Sequence, residues 1–316
     1  MRNGKIGKCK CGKPAVYYKR HEGRHFCETH FLEYIEKKVR RTVARTGMVR
    51  KGERVAVAVS GGKDSSVALY LMHKIFGKRP NVKIFAISVD EGIRGYRPAS
   101  LKAAARLTKE LGIRHYIYSF KEVFGKTLDQ KVRELKKGSH ELKEPCTYCG
   151  VGRRYILNKA ARELKATKLC TGHNLDDEVQ SIMMNYMRGD LLRASRMGPI
   201  TDLSIAKKRG GYFIPRIKPL RLVQERENAL YAMLKGMGAD WSECPHISGI
   251  RFDVRDFINE MEDKYSGIKY TILETFEKLL PSIRGLAART EGEIRLCKKC
   301  KEPGSEEICK TCKLWR

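Results

Sequence analysis

The sequence has 316 residues, of which 65 are lysine or arginine and 36 are aspartate or glutamate, so its formal net charge is +29. This length allows one large domain or two modest ones, and the excess of positive charge predicts a polyanionic partner such as a nucleic acid. Neither a membrane-spanning apolar run nor the apolar core of a signal peptide is found, which predicts a cytoplasmic protein that does not enter membranes.

The first predicted element is a small zinc module with a helix, over residues 1–45. Its candidate ligands are Cys9, Cys11, Cys27 and His30. Thiolates and an imidazole suit tetrahedral Zn²⁺, and so short a segment has too little apolar content to fold without a metal. Because the C-x-C spacing of the first pair is unusual for a zinc knuckle, His21 or His25 stays open as a replacement for Cys9. The following residues 31–45 are predicted to form an amphipathic helix.

A phosphate site is predicted directly after the first strand of the main domain. Residues 55–59 form an apolar run typical of a buried parallel strand, and residues 65–76 have the pattern of an amphipathic helix. The turn between them is Ser60, Gly61, Gly62, Lys63, Asp64 and Ser65. A glycine-rich turn at a helix start offers backbone N–H groups and the positive end of the helix to an anion. The spacing is neither that of a Walker loop nor that of a dinucleotide fingerprint.

Strands and helices alternate through this domain, which is predicted to cover residues 46–220. Further strands are predicted over residues 82–89, 114–120 and 168–171, and helices over residues 100–111, 124–136 and 175–187. Such alternation predicts an α/β fold with a doubly wound parallel sheet. Ligands of these sheets bind beyond the carboxyl ends of the strands. We therefore expect residues 60–65, 89–97 and 171–177 to meet in one cleft.

Eleven cysteines in a chain predicted to be cytoplasmic indicate metal or redox chemistry rather than structural disulfides. Cys146 and Cys149 form a C-x-x-C pair, and a helix predicted to begin near Gly150 would lower their thiol pKa through its dipole. Cys244 lies in a helical extension predicted over residues 221–290. Together the three thiols could hold three irons of a cubane cluster and leave the fourth iron open to sulfur. A redox pair plus a core cysteine is the alternative.

Residues 171–178 contain a glycine followed by several acids. Gly172 would permit close approach of a nucleotide, and Asp176, Asp177 and Glu178 could hold Mg²⁺ or orient water. The alternative is an ordinary helix start, with Asn174 as the N-cap and the acids favoured by the helix dipole.

The second half of the chain adds a basic loop and another zinc site. Residues 188–216 are predicted to form a long loop that could follow a phosphate backbone, and its cations include Arg188, Arg193, Arg196, Lys207, Lys208 and Arg209. A zinc ribbon is predicted over residues 291–316, because two C-x-x-C pairs at this spacing are a strong signal for four thiolate ligands. These are Cys297, Cys300, Cys309 and Cys312.

Residues 60–65 resemble the pyrophosphate loop of the N-type ATP pyrophosphatases. With both cysteine-rich ends, the chain resembles the tRNA 2-thiouridine synthetases of the TtuA and NcsA type over nearly its whole length. The resemblance implies that the loop binds ATP, that Asp177 is a catalytic acid, and that Cys146, Cys149 and Cys244 bind a [4Fe-4S] cluster, besides two Zn²⁺ at the ends. By position it also implies nucleotide contacts from Ala58, Asp64, Val89, Arg153 (a lysine in some members) and Gly172.

The implied activity is that of a tRNA uridine 2-sulfurtransferase. ATP with Mg²⁺ would adenylate the uracil C2 oxygen and sulfur would replace it, leaving AMP and pyrophosphate. Residues 90–97 and 146–154 are more similar to the branch that thiolates wobble uridine 34 than to the branch that acts on uridine 54. The implied partners are tRNA, a ubiquitin-like sulfur carrier or another sulfide donor, and a second copy in a homodimer. Alternatives are another enzyme of the pyrophosphatase superfamily and a non-catalytic zinc-module subunit that binds RNA.

Overall fold

The computed structural model describes residues 7–137, 144–201, 213–247, 249–288, 295–304 and 306–316. The chain begins with a two-stranded antiparallel hairpin, β1 (Tyr17–Lys19) and β2 (Arg24–Phe26). A long helix, α1 (Glu28–Arg45), follows. Its buried residues recur every three or four positions, at Phe31, Ile35, Val39 and Val43, so one apolar stripe faces the core as the periodicity predicted.

The centre of the molecule is a five-stranded sheet in the order β5-β4-β3-β6-β7, and every neighbouring pair is parallel. Its strands are β3 (Arg54–Ala58), β4 (Lys83–Asp90), β5 (His115–Ser119), β6 (Lys168–Cys170) and β7 (Arg216–Ile217). Val55, Ala56 and Val57 are fully buried, because helices cover both faces of such a sheet. The predicted α/β fold with a doubly wound parallel sheet is confirmed.

Seven helices with described bounds lie between consecutive strands of this sheet. They are α2 (Lys63–Phe76), α3 (Arg97–Glu110), α4 (Phe120–Phe124), α5 (Leu128–Lys137), α6 (Pro145–Glu163), α7 (Leu175–Met187) and α8 (Leu191–Ser195). The helix predicted over residues 124–136 is present as α5 but begins only at Leu128, because Gly125 takes a left-handed conformation that ends the separate short helix α4. The helix predicted to begin near Gly150 already begins at Pro145, and proline favours the first position of a helix.

The carboxyl-terminal part contains α9 (Glu225–Leu234), α10 (Arg251–Lys264), α11 (Ile268–Ala288), a short pair β8 (Arg295–Leu296) and β9 (Pro303–Gly304), and α12 (Lys310–Trp315). Tyr231 of α9 packs in the same core as Phe31 of α1 and Leu69 of α2. The predicted basic loop is interrupted by α8 and ends in β7, and its residues Lys207, Lys208 and Arg209 lie outside the described residues. Among the helices that the structure describes, none has the length and apolarity needed to traverse a bilayer.

Candidate active site and metal centres

The predicted phosphate loop lies at the carboxyl end of β3 and is held by its own hydroxyls. Ser65 accepts a hydrogen bond from the backbone N–H of Ser60 at 3.1 Å and donates one to the carbonyl of Gly62 at 2.9 Å. Gly61 has φ +93°, and a Cβ there would lie 1.8 Å from the carbonyl oxygen of Ser100 in α3. Only glycine fits this conformation and this approach. The first N–H groups of α2, which helices leave unpaired, are therefore presented at a fixed loop.

Lys63 and Asp64 tie this loop to two other elements. Lys63 Nζ lies 2.7 Å from Glu225 and 3.1 Å from Asp64. The other oxygen of Asp64 accepts hydrogen bonds from Asn174 at 3.1 Å and from Asn228 at 2.9 Å. Although burial opposes it, the neighbouring carboxylates raise the pKa of Lys63, so its ammonium is charged at neutral pH. The loop thus keeps a cation next to its anion-binding N–H groups.

The segment after β6 closes against the same loop. A Cβ on Gly172 would lie 2.8 Å from the backbone of Asp64 and Ser65. Asn174 caps α7 by accepting the N–H of Asp177, while Asp177 accepts the N–H of Asn174. The capping role is therefore present, and it places Asp177 in the first turn of α7, next to Asn174, which contacts Asp64 of the loop. Burial raises the pKa of Asp177 to about 6, and Arg251 at 3.3 Å counteracts that rise.

Two of the three predicted cluster ligands lie on α6, and Cys244 lies in the irregular segment between α9 and α10. Cys146 lies in the first turn of α6 and is exposed, and its Sγ donates to the carbonyl of His246 at 3.4 Å. Cys149 and Cys244 are half-buried and pack against one apolar cluster. The predicted lowering of the thiol pKa is wrong for Cys149, because burial raises the pKa of that thiol to about 11. Burial opposes thiolate formation at this position more strongly than the helix dipole favours it.

The chemistry of the three central thiols suits an iron–sulfur cluster, whose irons are held by cysteine thiolates. In the described part of the chain, two groups of cysteines have all their ligand atoms within 4.8 Å of one another, and these groups lie at the two ends of the chain. The three central sulfurs are spread more widely. A cubane cluster needs three separate corners, each held by one thiolate. The residues therefore fit the [4Fe-4S] cluster that the sequence predicted.

The amino-terminal zinc set is formed by Cys9, Cys11, Cys27 and His30, whose ligand atoms all lie within 4.8 Å of one another. Cys9 Sγ lies 3.1 Å from His30 Nδ1. His25 instead stacks on Tyr18 with the ring centroids 4.3 Å apart, and His21 packs against Tyr270. The alternative of a histidine in place of Cys9 is therefore not supported. The backbone N–H of Cys11 lowers the pKa of the Cys9 thiol to about 6, as a metal ligand requires.

The carboxyl-terminal set is also complete, with the Sγ atoms of Cys297, Cys300, Cys309 and Cys312 within 4.8 Å of one another. Although burial opposes it, backbone N–H groups including those of Cys309 and Cys300 lower the pKa of Cys297 to about 6. The residues at both ends thus fit the two predicted Zn²⁺ ions.

The zinc ribbon packs directly on the helix that carries the C-x-x-C pair. Trp315 donates its indole N–H to the carbonyl of Tyr148 at 3.2 Å. Its ring stacks on Phe124 at 4.7 Å and meets Phe120 edge-on at 4.9 Å. Trp315 therefore supports the turn of α6 that contains Cys146 and Cys149.

Two buried charges that the sequence reasoning missed connect the loop with the thiols. Arg97 is 3 % exposed and donates to the carbonyls of Ser60, at 2.7 Å, and of Val89. Its guanidinium lies 2.8 Å from Glu91, which is 4 % exposed and lies 3.6 Å from Arg153. Arg153 in turn interacts electrostatically with Cys149. The sequence predicts that residues 89–97 lie at this cleft, but it does not single out Glu91 and Arg97 within that stretch.

The other predicted nucleotide contacts also lie at this edge. Ala58 ends β3, and Val89 is the penultimate residue of β4. The loop, the end of β4 and the start of α7 thus converge as expected.

Comparison with known proteins gives a consistent result. A model of the PP-loop domain matches residues 31–261, and a model of the 2-thiouridine synthetase TtuA N-terminal LIM domain matches residues 8–32. The tRNA 2-thiolation protein NcsA of Haloferax volcanii is 36 % identical over 96 % of this chain and 97 % of its own length. The tRNA-5-methyluridine(54) 2-sulfurtransferase of Pyrococcus horikoshii is 36 % identical over 98 % of this chain and 93 % of its own length.

A solved structure extends the likeness to three dimensions. The U34-tRNA thiolase NcsA from Methanococcus maripaludis with its [4Fe-4S] cluster has a TM-score of 0.80 and 36 % identity, and the match covers 97 % of this chain and 95 % of that one.

Proposed function

Because the chain belongs to the PP-loop family, in its branch of tRNA 2-thiolation proteins, we propose that it uses ATP to replace the C2 oxygen of a tRNA uridine by sulfur. The observation that carries this proposal is the network of Arg97, Glu91 and Arg153, which joins a phosphate loop at Ser60 to the surroundings of Cys149. Activation by ATP and delivery of sulfur need two such sites side by side.

The first half-reaction is the attack of the uracil C2 oxygen on the α-phosphate of ATP. The bond from that phosphate to the β-phosphate breaks, and pyrophosphate leaves with the additional charge. Lys63 and the N–H groups of the loop stabilise this charge together with the Mg²⁺ that accompanies ATP. Lys63 exchanges its pairing with Glu225 and Asp64 for the phosphates.

Asp177 serves this step as a proton acceptor. Uracil that carries an adenylate on its C2 oxygen becomes neutral only by losing the proton on N3. A carboxylate with a pKa of about 6 is ionised at pH 7 and still basic enough to take that proton. In the second half-reaction the proton returns to N3, so Asp177 is unchanged after one turnover.

The second half-reaction takes place beside the three thiols. A [4Fe-4S] cluster bound by Cys146, Cys149 and Cys244 would supply an iron-bound position for the incoming sulfur. A sulfide-level sulfur atom forms a bond with C2, the bond from C2 to the bridging oxygen breaks, and AMP leaves. Arg153, which Glu91 holds beside Cys149, provides positive charge for the departing AMP.

We further propose wobble uridine 34 as the target. The support is the similarity of residues 90–97 and 146–154 to that branch. Overall identity does not favour either target, because the Haloferax volcanii and Pyrococcus horikoshii proteins are both 36 % identical to this chain. A ubiquitin-like sulfur carrier or another sulfide donor, a homodimer and a cytoplasmic location belong to the same proposal.

The test is anaerobic incubation of the purified protein with unmodified tRNA, ATP, Mg²⁺ and sulfide. Nucleoside and oligonucleotide mass spectrometry then locates the product. We expect 2-thiouridine at position 34 and none without ATP. Thiolation confined to position 54 would contradict the target, and the absence of any thiolation would contradict the function.

A further inference from the structure

The structure contains a large cleft away from the catalytic edge, between the amino-terminal zinc module and α11. It has a volume of about 1290 Å³, which exceeds that of a typical small-molecule pocket. One wall is formed by the zinc module and α1, and the other by α11 with Arg221 and Leu222. We propose that this cleft binds the sugar–phosphate backbone of the tRNA at a distance from the reacting uridine, an inference that rests on the proposed function.

The charge of the lining is the first support. Ten lysines and arginines line the cleft against four glutamates: Lys8, Lys10, Lys19, Arg24, Lys37, Lys38, Arg41, Arg45, Arg221 and Lys278, against Glu22, Glu33, Glu274 and Glu277. Cations gathered in a concave surface attract a polyanion and release its counterions on contact.

The pairing of these cations separates those that build the protein from those that remain available. Lys38 is held by Glu227 at 3.0 Å and by Tyr34 and Tyr270, and Arg221 is paired with Glu277. Within the described part of the chain, no ion pair is formed by Lys8, Lys10, Arg41, Arg45 or Lys278, and all five are exposed. These exposed cations are therefore free to contact phosphates.

Two of these cations, Arg41 and Arg45, form a line along α1 together with Lys37, which is exposed and pairs with Glu33 at 3.4 Å. Lys37, Arg41 and Arg45 follow one another at intervals of four residues, so they lie on one face of the helix. Their spacing is about 6 Å along the axis, from a rise of about 1.5 Å per residue. A row of this kind suits the repeating charges of a nucleic-acid strand better than a single compact anion.

The same lining argues against a protein partner. None of the exposed large apolar side chains of the described residues lines the cleft. Protein interfaces rely on aromatic and methionine anchors and are depleted in lysine. Contacts to nucleic-acid phosphates come chiefly from arginine and lysine.

The cleft is separate from the phosphate loop, but residues 222–225 connect the two. Tyr270 in the cleft donates to the carbonyl of Leu222 at 3.2 Å, and the next residue, Val223, accepts the N–H of Leu175 at 2.9 Å. Glu225, three residues beyond Leu222, contacts Lys63 of the phosphate loop. RNA bound in the cleft would therefore anchor the tRNA beside the site without touching the reacting atoms.

The test compares two triple variants of the full-length, metal-loaded protein that lose the same charge. One is Lys37→Gln, Arg41→Gln and Arg45→Gln in the cleft. The other is Lys51→Gln, Lys78→Gln and Lys83→Gln, which replaces exposed lysines near the amino ends of β3 and β4. Zinc content and thermal unfolding verify that both are folded. Fluorescence anisotropy with labelled tRNA gives Kd at several salt concentrations, and thiolation at saturating tRNA gives kcat.

We expect the cleft variant to have a Kd for tRNA that is roughly tenfold higher or more at about 0.15 M salt. The slope of the logarithm of Kd against the logarithm of the salt concentration should be smaller by about two to three. The kcat of thiolation should equal that of the wild type. The control variant should match the wild type. Equal weakening by both variants, or by neither, would overturn the cleft as the RNA site, and in the latter case a partner other than tRNA would occupy it. Wild-type protein that binds no tRNA would instead overturn the proposed function together with this inference.

Discussion

Lys63 is the residue that most directly links the loop to the adenylation step. Its ammonium is kept charged by Glu225 and Asp64, and it follows immediately on the two glycines of the loop. A fixed positive charge at the position where pyrophosphate leaves stabilises the transition state more than the bound substrate.

We predict that Lys63→Ala lowers ATP-dependent pyrophosphate release by about 100-fold or more, because the charge on the leaving group is no longer neutralised. Binding of tRNA should change by no more than a few-fold, since the cleft lies elsewhere. Lys74→Ala is the matched control, because Lys74 lies on the same helix and pairs with Glu36 on the surface. Pyrophosphate release by Lys63→Ala at the level of this control would refute the role.

Asp177 gives the reaction a pH dependence with a definite sign. Its pKa of about 6 is above that of an ordinary aspartate, and the carboxylate, not the acid, accepts the N3 proton. The rate of adenylation should therefore fall as the pH is lowered through about 6 and level off above it. Asp177→Asn should be slow at every pH and should lack this dependence. A variant that retains the wild-type profile would assign the titration to another group.

At the scale of elements, the carboxyl-terminal module acts as a support for the helix that carries the C-x-x-C pair. The zinc ribbon places Trp315 against α6, and thereby holds the turn that contains Cys146 and Cys149. Trp315 is 3 % exposed, whereas the other tryptophan of the chain, Trp241, is 52 % exposed.

We predict that Trp315→Ala lowers the free energy of unfolding by about 3–5 kcal/mol, because it removes a buried ring and leaves a cavity between α6 and α12. Trp241→Ala serves as control and should change it by less than about 0.5 kcal/mol. Denaturant unfolding measures both. The anaerobically purified Trp315→Ala protein should also lose iron while it keeps the zinc of the amino-terminal module. Equal iron contents of Trp315→Ala and Trp241→Ala would contradict the supporting role.

The elements also show what the sequence can reveal. Local chemistry predicted the phosphate loop, the parallel sheet and both zinc sets, since glycine turns, buried β-branched runs and cysteine spacing are short-range signals. The strand β7 was missed because two residues carry no periodicity. The pairing of Arg97 with Glu91 and the contact of Trp315 with Tyr148, 167 residues apart in sequence, depend on the tertiary fold. The early start of α6 agrees with Pro145, because proline favours the first position of a helix.

At the scale of the whole molecule, the phosphate loop and the three thiols are joined by the network of Arg97, Glu91 and Arg153. The loop side needs only ATP and uridine, whereas the thiol side needs sulfur and an intact set of three cysteines. The two half-reactions should therefore be separable by a single substitution on the thiol side.

The most direct test uses Cys244→Ala beside the wild type, both purified without oxygen and assayed with tRNA, ATP and sulfide. We predict about four irons and two zincs per wild-type chain, and the loss of iron but not of zinc from the variant. The wild type should release pyrophosphate and form 2-thiouridine, whereas Cys244→Ala should release pyrophosphate and form none. Full thiolation by an iron-free Cys244→Ala protein would contradict the assignment of sulfur delivery to the three thiols.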